Sequence, residues 1–138
     1  MAIRLSTTLK DALINAAITY LAGTAGSNGT ASLEIRTGSQ PADADTAPTG
    51  TLLCTVGSFG WDAATDGEAT LAGGDPPTGT AIATGTAGWA SIKTVGAAGT
   101  YRIDGGAGTG TAGDDDFTLN SIIITSGNTI EMYSAKLA

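Results

Sequence analysis

Residues 31–37, ASLEIRT, alternate strictly: Leu33 and Ile35 fall on one side, Ser32, Glu34 and Arg36 on the other. That period of two is the mark of a strand with one dry face and one wet face. Residues 51–56, TLLCTV, predict a second strand. Residues 38–50 between them read as an ordered surface loop. Pro41 and Pro48 have no N–H for a ladder, and Asp43, Asp45, Thr46 and Thr49 favour local side-chain to backbone bonds.

Upstream, residues 4–21 carry a period of 3.6. Leu5, Leu9, Leu13, Ala16, Ala17 and Tyr20 share one face, widened by Ile14, Ile18 and Leu21. A helix is expected here, packed by Leu9 and Leu13. Ser6, Thr7 and Thr8 are available as N-caps, Asp11 sits near the positive helix end, and Gly23 offers a C-terminal stop before a Gly-rich connector at 23–29. A stripe this wide argues for a helix that closes one end of the core; the other reading is an arm that docks on a partner.

Downstream, residues 57–61 continue or bend the second strand, and Asp66-Gly67 is a hairpin-turn signal leading into 68–71. Residues 73–79 read as a loop, 80–84 and 89–95 as strands divided by Gly85 and Gly88, and 101–104 as a short strand before a Gly-rich loop at 105–113. In the 89–95 strand Trp89, Ser91 and Lys93 face away from Ala90, Ile92 and Thr94. Residues 117–125 and 129–137 form a last hairpin about Ser126-Gly127-Asn128. About eight short strands at regular spacing predict an all-β fold, an antiparallel β-sandwich of jelly-roll type with one N-terminal α-helix. The chain reads as a single domain over 1–138, with the helix region at 3–22 and the sandwich at 30–138.

Composition changes the picture in two ways. The net charge is −7 with only six Lys and Arg in all, which opposes nucleic-acid binding, because phosphate neutralisation needs clustered cations. Much of the apolar fraction is alanine, which buries little area per residue, so the expected core is thin and stability is expected to be shared with neighbouring subunits. No apolar run reaches the ~20 residues of a membrane span, and no signal peptide is evident at the N-terminus; synthesis and folding in a reducing cytoplasm are expected. The single Cys54 lies in an alternating strand and reads as a small buried hydrophobe.

Candidate chemistry is sparse. Histidine is absent, which removes the commonest general base, the usual zinc ligand and every Ser-His or Cys-His nucleophile. Gly108, Gly110 and Gly113 spell G-x-G-x-x-G, but Asp114, Asp115 and Asp116 follow where a dinucleotide site needs a helix N-terminus, and they would repel phosphate. That aspartate run lacks the alternating ligand spacing of an EF-hand loop and reads as solvated charge. Asp43 with Asp45, or Asp62 with Asp66, could flank a glycosidic bond, yet aspartates in Pro/Gly/Thr loops ordinarily form turns. No enzymatic activity, metal or cofactor is expected.

The segment from Thr37 to Leu53 carries one further signal. Thr37, Gly38, Ser39, Gln40, Pro41, Ala42, Asp45, Pro48, Thr49, Gly50, Thr51, Leu52 and Leu53 resemble a family of small virion structural proteins of tailed bacteriophages and prophages. The likeness extends to the Ile-Arg-Leu-Ser-Thr start at 3–7, to 86–89 and to the Ser-Gly-Asn-Thr-Ile turn at 126–130, while 57–79 looks looser than the family pattern. The resemblance implies a capsid decoration or cement protein on the exterior of the virion, made in the host bacterial cytoplasm. The implied partners are the major capsid protein and further copies of the chain in a dimer or trimer, with no nucleic acid and no membrane. The alternative is a receptor- or glycan-binding module of a tail fibre or head fibre. Gln40, Pro41, Asp43, Asp45 and Pro48 are the candidate partner contacts, and the 105–113 loop is a second candidate surface.

Overall fold

The computed structural model describes residues 2–22, 30–73, 76–96, 99–110, 116–135 and 137. One helix, α1 (Thr7–Ala22), precedes eight strands: β1 (Ala31–Thr37), β2 (Leu52–Phe59), β3 (Thr78–Thr80), β4 (Gly85–Gly96), β5 (Gly99–Gly108), β6 (Phe117–Leu119), β7 (Ile123–Ile124) and β8 (Thr129–Ala135). The protein is therefore mostly β with a single helix. The strands form one sheet in the order β2-β1-β4-β5-β6-β8-β3, with β7 paired to β4. The two ends of that path approach each other. Ala81, just after β3, bridges Cys54 of β2, and the Ile82 N–H donates to the Leu53 carbonyl at 2.8 Å. The sheet is nearly closed and barrel-like.

Two features depart from an antiparallel sandwich. β5 and β6 pair in parallel, Ala107 opposite Phe117 and Gly108 opposite Thr118. The glycines at 105–108 continue β5 where a loop was expected, and the end of that continuation, Ala107 and Gly108, is what pairs with β6. Likewise Gly85 and Gly88 lie within β4, a twelve-residue strand pairing with β1, β5 and β7. The last hairpin is only partly a hairpin. β6 pairs with β8, but Ile123 and Ile124 turn away to β4.

The Asp66-Gly67 signal produces the turn it predicts. Both residues have positive φ, 55° and 84°, and Thr65 bridges Glu68, as a type I′ hairpin requires. The core holds both long aliphatics and aromatics: Leu33, Ile35, Val56, Ile92, Ile130 and Met132 are fully buried, and Trp61 packs edge-on to Phe59 at 5.4 Å between ring centroids. Trp61 is also satisfied, its Nε1–H donating to the Ala135 carbonyl at 2.8 Å. Cys54 is fully buried in this core, and burial pushes its thiol pKa up.

The helix packs by a face other than the expected one. Ile18 and Leu21 are buried and Ile14 is packed against the core, whereas Leu9 and Leu13 are 46% and 54% exposed. Polar anchors select this orientation. Asn15 Oδ1 accepts the Ala64 N–H at 2.9 Å, and Asp11 Oδ1 accepts the Gly67 N–H at 2.7 Å, so the side of α1 that bears Asp11, Ile14, Asn15 and Ile18 is tied to the I′ hairpin. Thr94 of β4 donates its hydroxyl to the Leu21 carbonyl at the other end. Ser6 is the N-cap, accepting the Leu9 N–H at 3.3 Å. The expected stop at Gly23 and connector at 23–29 lie outside the described residues.

Candidate functional site

The loop at 38–50 lies on the outer face of the β1-β4-β5 wall. That face is built by alternation: Ser32, Glu34 and Arg36 from β1, Trp89, Ser91 and Lys93 from β4, Arg102 and Asp104 from β5. Their register is direct, with Arg36 opposite Trp89, Glu34 opposite Ser91, Ser91 opposite Asp104, and Lys93 opposite Arg102. A bulge at Gly88, where β4 advances from Ala87 to Trp89 against consecutive β1 residues, turns Gly88 outward. The loop crosses at that point. A Cβ on Gly88 would stand 2.0 Å from the Gly38 carbonyl oxygen, so only glycine admits this approach.

From there the loop reaches β5, where Arg102 Nη2 points to the Asp43 carbonyl at 3.5 Å, and returns to β1, where Arg36 Nη1 points to the Gly50 carbonyl at 3.4 Å. Its stem is closed by a reciprocal pair: the Thr37 N–H donates to the Thr51 carbonyl at 3.1 Å, and the Thr51 N–H to Thr37 Oγ1 at 2.9 Å. Thr49 Oγ1 donates to the Ser39 carbonyl at 3.0 Å. Within the loop Asp43 Oδ1 accepts from the Thr46 hydroxyl at 2.9 Å, the Thr46 N–H at 2.8 Å and the Asp45 N–H at 3.1 Å. The Thr46 hydroxyl and amide therefore hold the Asp43 carboxyl below its ordinary pKa. Asp43 is a turn former, as its setting predicted.

Of the predicted contact residues, Gln40, Asp43, Asp45 and Pro48 are exposed and close together on this strap. Pro41 is buried. Burial sets it apart from those four exposed residues of the loop. The second candidate surface, at 105–113, is divided: Gly105–Gly108 belong to β5, residues 109–110 are exposed, and 111–113 lie outside the described residues. Asp114 and Asp115 are likewise outside them. Asp116 is described, and its Oδ2 accepts the Gly106 N–H at 2.8 Å.

Beneath the strap the charges are paired with one another. Glu34 accepts from Lys93 Nζ at 2.8 Å and from Arg36 Nη2 at 3.1 Å, and Arg102 grips Asp104 through Nε at 2.8 Å and Nη2 at 2.6 Å. Burial pushes the Glu34 carboxyl up, but the hydrogen bonds and charges of Lys93 and Arg36 outweigh it and leave the pKa below its ordinary value. Trp89 and Ser91 are covered, and Trp89 Nε1, Ser91 Oγ and Arg36 Nε find no partner among the described residues. Each such group costs about 1–3 kcal/mol relative to a paired one. The strap meets this wall at Gly38, Asp43 and Gly50, on the face to which the buried Trp89 belongs.

Among the described residues no group of three His, Cys, Asp or Glu could hold a metal ion, and no helix is long and apolar enough to cross a membrane. Among the described residues, recesses elsewhere include a groove of about 330 Å³ between α1 and β5, walled by Tyr20, Leu21, Tyr101 and Ile103, and a smaller one of about 140 Å³ at Pro76, Pro77, Met132 and Tyr133. Neither contains a nucleophile with a base beside it. No family model matches the chain, and no curated protein or solved structure matches it. Sequence reasoning missed the covered face itself. Its trace was a tryptophan and a serine on the supposedly wet side of a central strand, a placement that calls for a lid.

Proposed function

We propose that this protein is a non-enzymatic virion structural protein of a tailed bacteriophage, a decoration subunit bound to the exterior of the capsid through its contacts with the major capsid protein. The observation that carries the reading is the strap: an acidic loop, held at both ends and at its middle, that presents Gln40, Asp43, Asp45 and Pro48 on a rigid β wall. A loop ordered before binding loses little entropy on docking, which is what a contact surface gains from such anchoring. The resemblance of residues 37–53 to small phage virion proteins supports the same conclusion. In this reading the barrel-like sheet is flattened into two opposed walls in the jelly-roll manner, with the strap on the outer side of one. A subunit of this kind needs no catalysis; it needs a surface that spans capsid subunits, and modest affinity per copy suffices when many copies bind one shell.

The test is the copy number of the protein in purified virions. Hundreds of copies per particle, located on heads, are the expected result. A handful located on tails would replace the cement reading with a tail-fibre one.

A further inference from the structure

Helix α1 is apolar on two sides, and only one of them is covered. Ile14, Ile18 and Leu21 face the core, while Leu9, Leu13 and Tyr20 are 46%, 54% and 59% exposed, with Ala12 and Ala16 exposed between them; one side of the Tyr20 ring leans on Tyr101 of β5, with ring centroids 5.1 Å apart. At 100° per residue the two sets lie on nearly opposite sides of the helix. A helix that is apolar all round belongs in an interior. The outward stripe contains no charged residue, on a chain whose net charge is −7.

We infer that a second copy of this chain covers the stripe, by antiparallel pairing of α1 with α1. Two observations select this occupant. The first is charge. Any approach between two strongly acidic bodies is opposed except through a surface free of acid, and this stripe is such a surface; Arg4 and Lys10 are the only cations near it. They are too few for an anionic membrane surface, which interfacial helices meet with a basic rim.

The second is symmetry. A twofold interface must be complementary to itself, and the stripe reads the same from either end in position while alternating in size. Antiparallel pairing about its centre sets Leu9 against the partner's Ala16 and Leu13 against the partner's Ala12, so that within the helix each leucine meets an alanine. The same pairing carries Ile3, 97% exposed on the segment before the helix, towards the partner's groove of about 330 Å³ between α1 and β5. An exposed apolar arm and an apolar groove thus fall together under one operation.

The area sets the strength. A sixteen-residue helix is about 24 Å long and its contact face about 10 Å wide, so even with the arm it covers less than the ~800 Å² per partner of a stable complex. The dimer is therefore concentration-dependent. This inference deepens the partner part of the function proposed above, but it rests on the helix alone and needs no capsid to test.

The full-length chain, followed by sedimentation equilibrium, is expected to pass from monomer towards dimer as concentration rises through the micromolar range. Leu13→Glu is expected to raise the dissociation constant at least tenfold while leaving the near-ultraviolet circular dichroism unchanged, since Leu13 is not in the core. Orientation is read by mild oxidation: the double variant Leu9→Cys/Ala16→Cys should form a disulfide-linked dimer, and the single variant Leu9→Cys should not. A chain that stays monomeric to millimolar concentration, or a dimer unaffected by Leu13→Glu, would overturn the proposal; so would efficient linkage of the single Leu9→Cys variant, which marks parallel pairing. Virion copy number is a separate readout, so either result can fail without the other.

Discussion

Glu34 is the residue on which the covered wall turns. It bridges two cations on two strands, Arg36 on its own and Lys93 on β4, and the strap lies over that wall. Its folded pKa is depressed, so the unfolded chain binds the proton more tightly than the folded one, and the stabilisation is present above the unfolded pKa and lost as pH falls through the folded value. Glu34→Gln is accordingly expected to be less stable than the parent at neutral pH, with the gap closing as pH falls below the ordinary glutamate range. Paired denaturant titrations at pH 7 and pH 3 check this; a gap that widens in acid would mean that the bridge does not hold the wall. At this scale much was legible. Cys54 as a buried hydrophobe, Asp43 as a turn former and Asp66-Gly67 as a I′ turn all follow from local stereochemistry and need no tertiary information. The burial of Pro41 was not legible, because whether a loop residue faces solvent depends on where the loop lies, and the burial of Trp89 is likewise a long-range fact.

Among the elements, α1 separates what a pattern can specify from what it cannot. The period of 3.6 located the helix and offered Ser6, Thr7 and Thr8 as caps, but it read Ile14, Ile18 and Leu21 as widening a face from which the fold turns them away. The choice is made by Asp11 and Asn15, which reach the backbone of the 62–68 hairpin, partners remote in sequence. Ile18→Ala should therefore cost about 2–5 kcal/mol, as for a fully buried aliphatic side chain, whereas Leu13→Ala measured on dilute monomer should cost less than about 0.5 kcal/mol, the range of surface sites. Thermal or urea denaturation of the two variants distinguishes them, and a core-sized loss at Leu13 would mean that the helix is turned the other way. β1 was legible to the residue, since strict alternation and a terminating Gly38 fix both its faces and its end. β4 and β5 were not: glycines that read as breaks lie inside strands, where the bulge at Gly88 admits the strap and the 105–108 run passes beside Asp116.

For the whole molecule, the sequence pattern pointed to the strand content and the single helix, but it read an antiparallel sandwich where the sheet is mixed and nearly closed. Closure depends on the end of β3 meeting β2 and on β5 running parallel to β6, pairings that no local period encodes. The result is an acidic barrel with a rigid strap on one wall and an uncovered helix at one end. The proposed place on the outside of a shell rests on these two surfaces being available for contact. The measurement that tests this most directly is the heat resistance of phage heads assembled without the protein, before and after the purified chain is added back. Heads lacking it should release their DNA at a lower temperature and recover on add-back with saturable, head-wide binding. Heads that resist heat equally well without it, and bind none when it is supplied, would contradict the account.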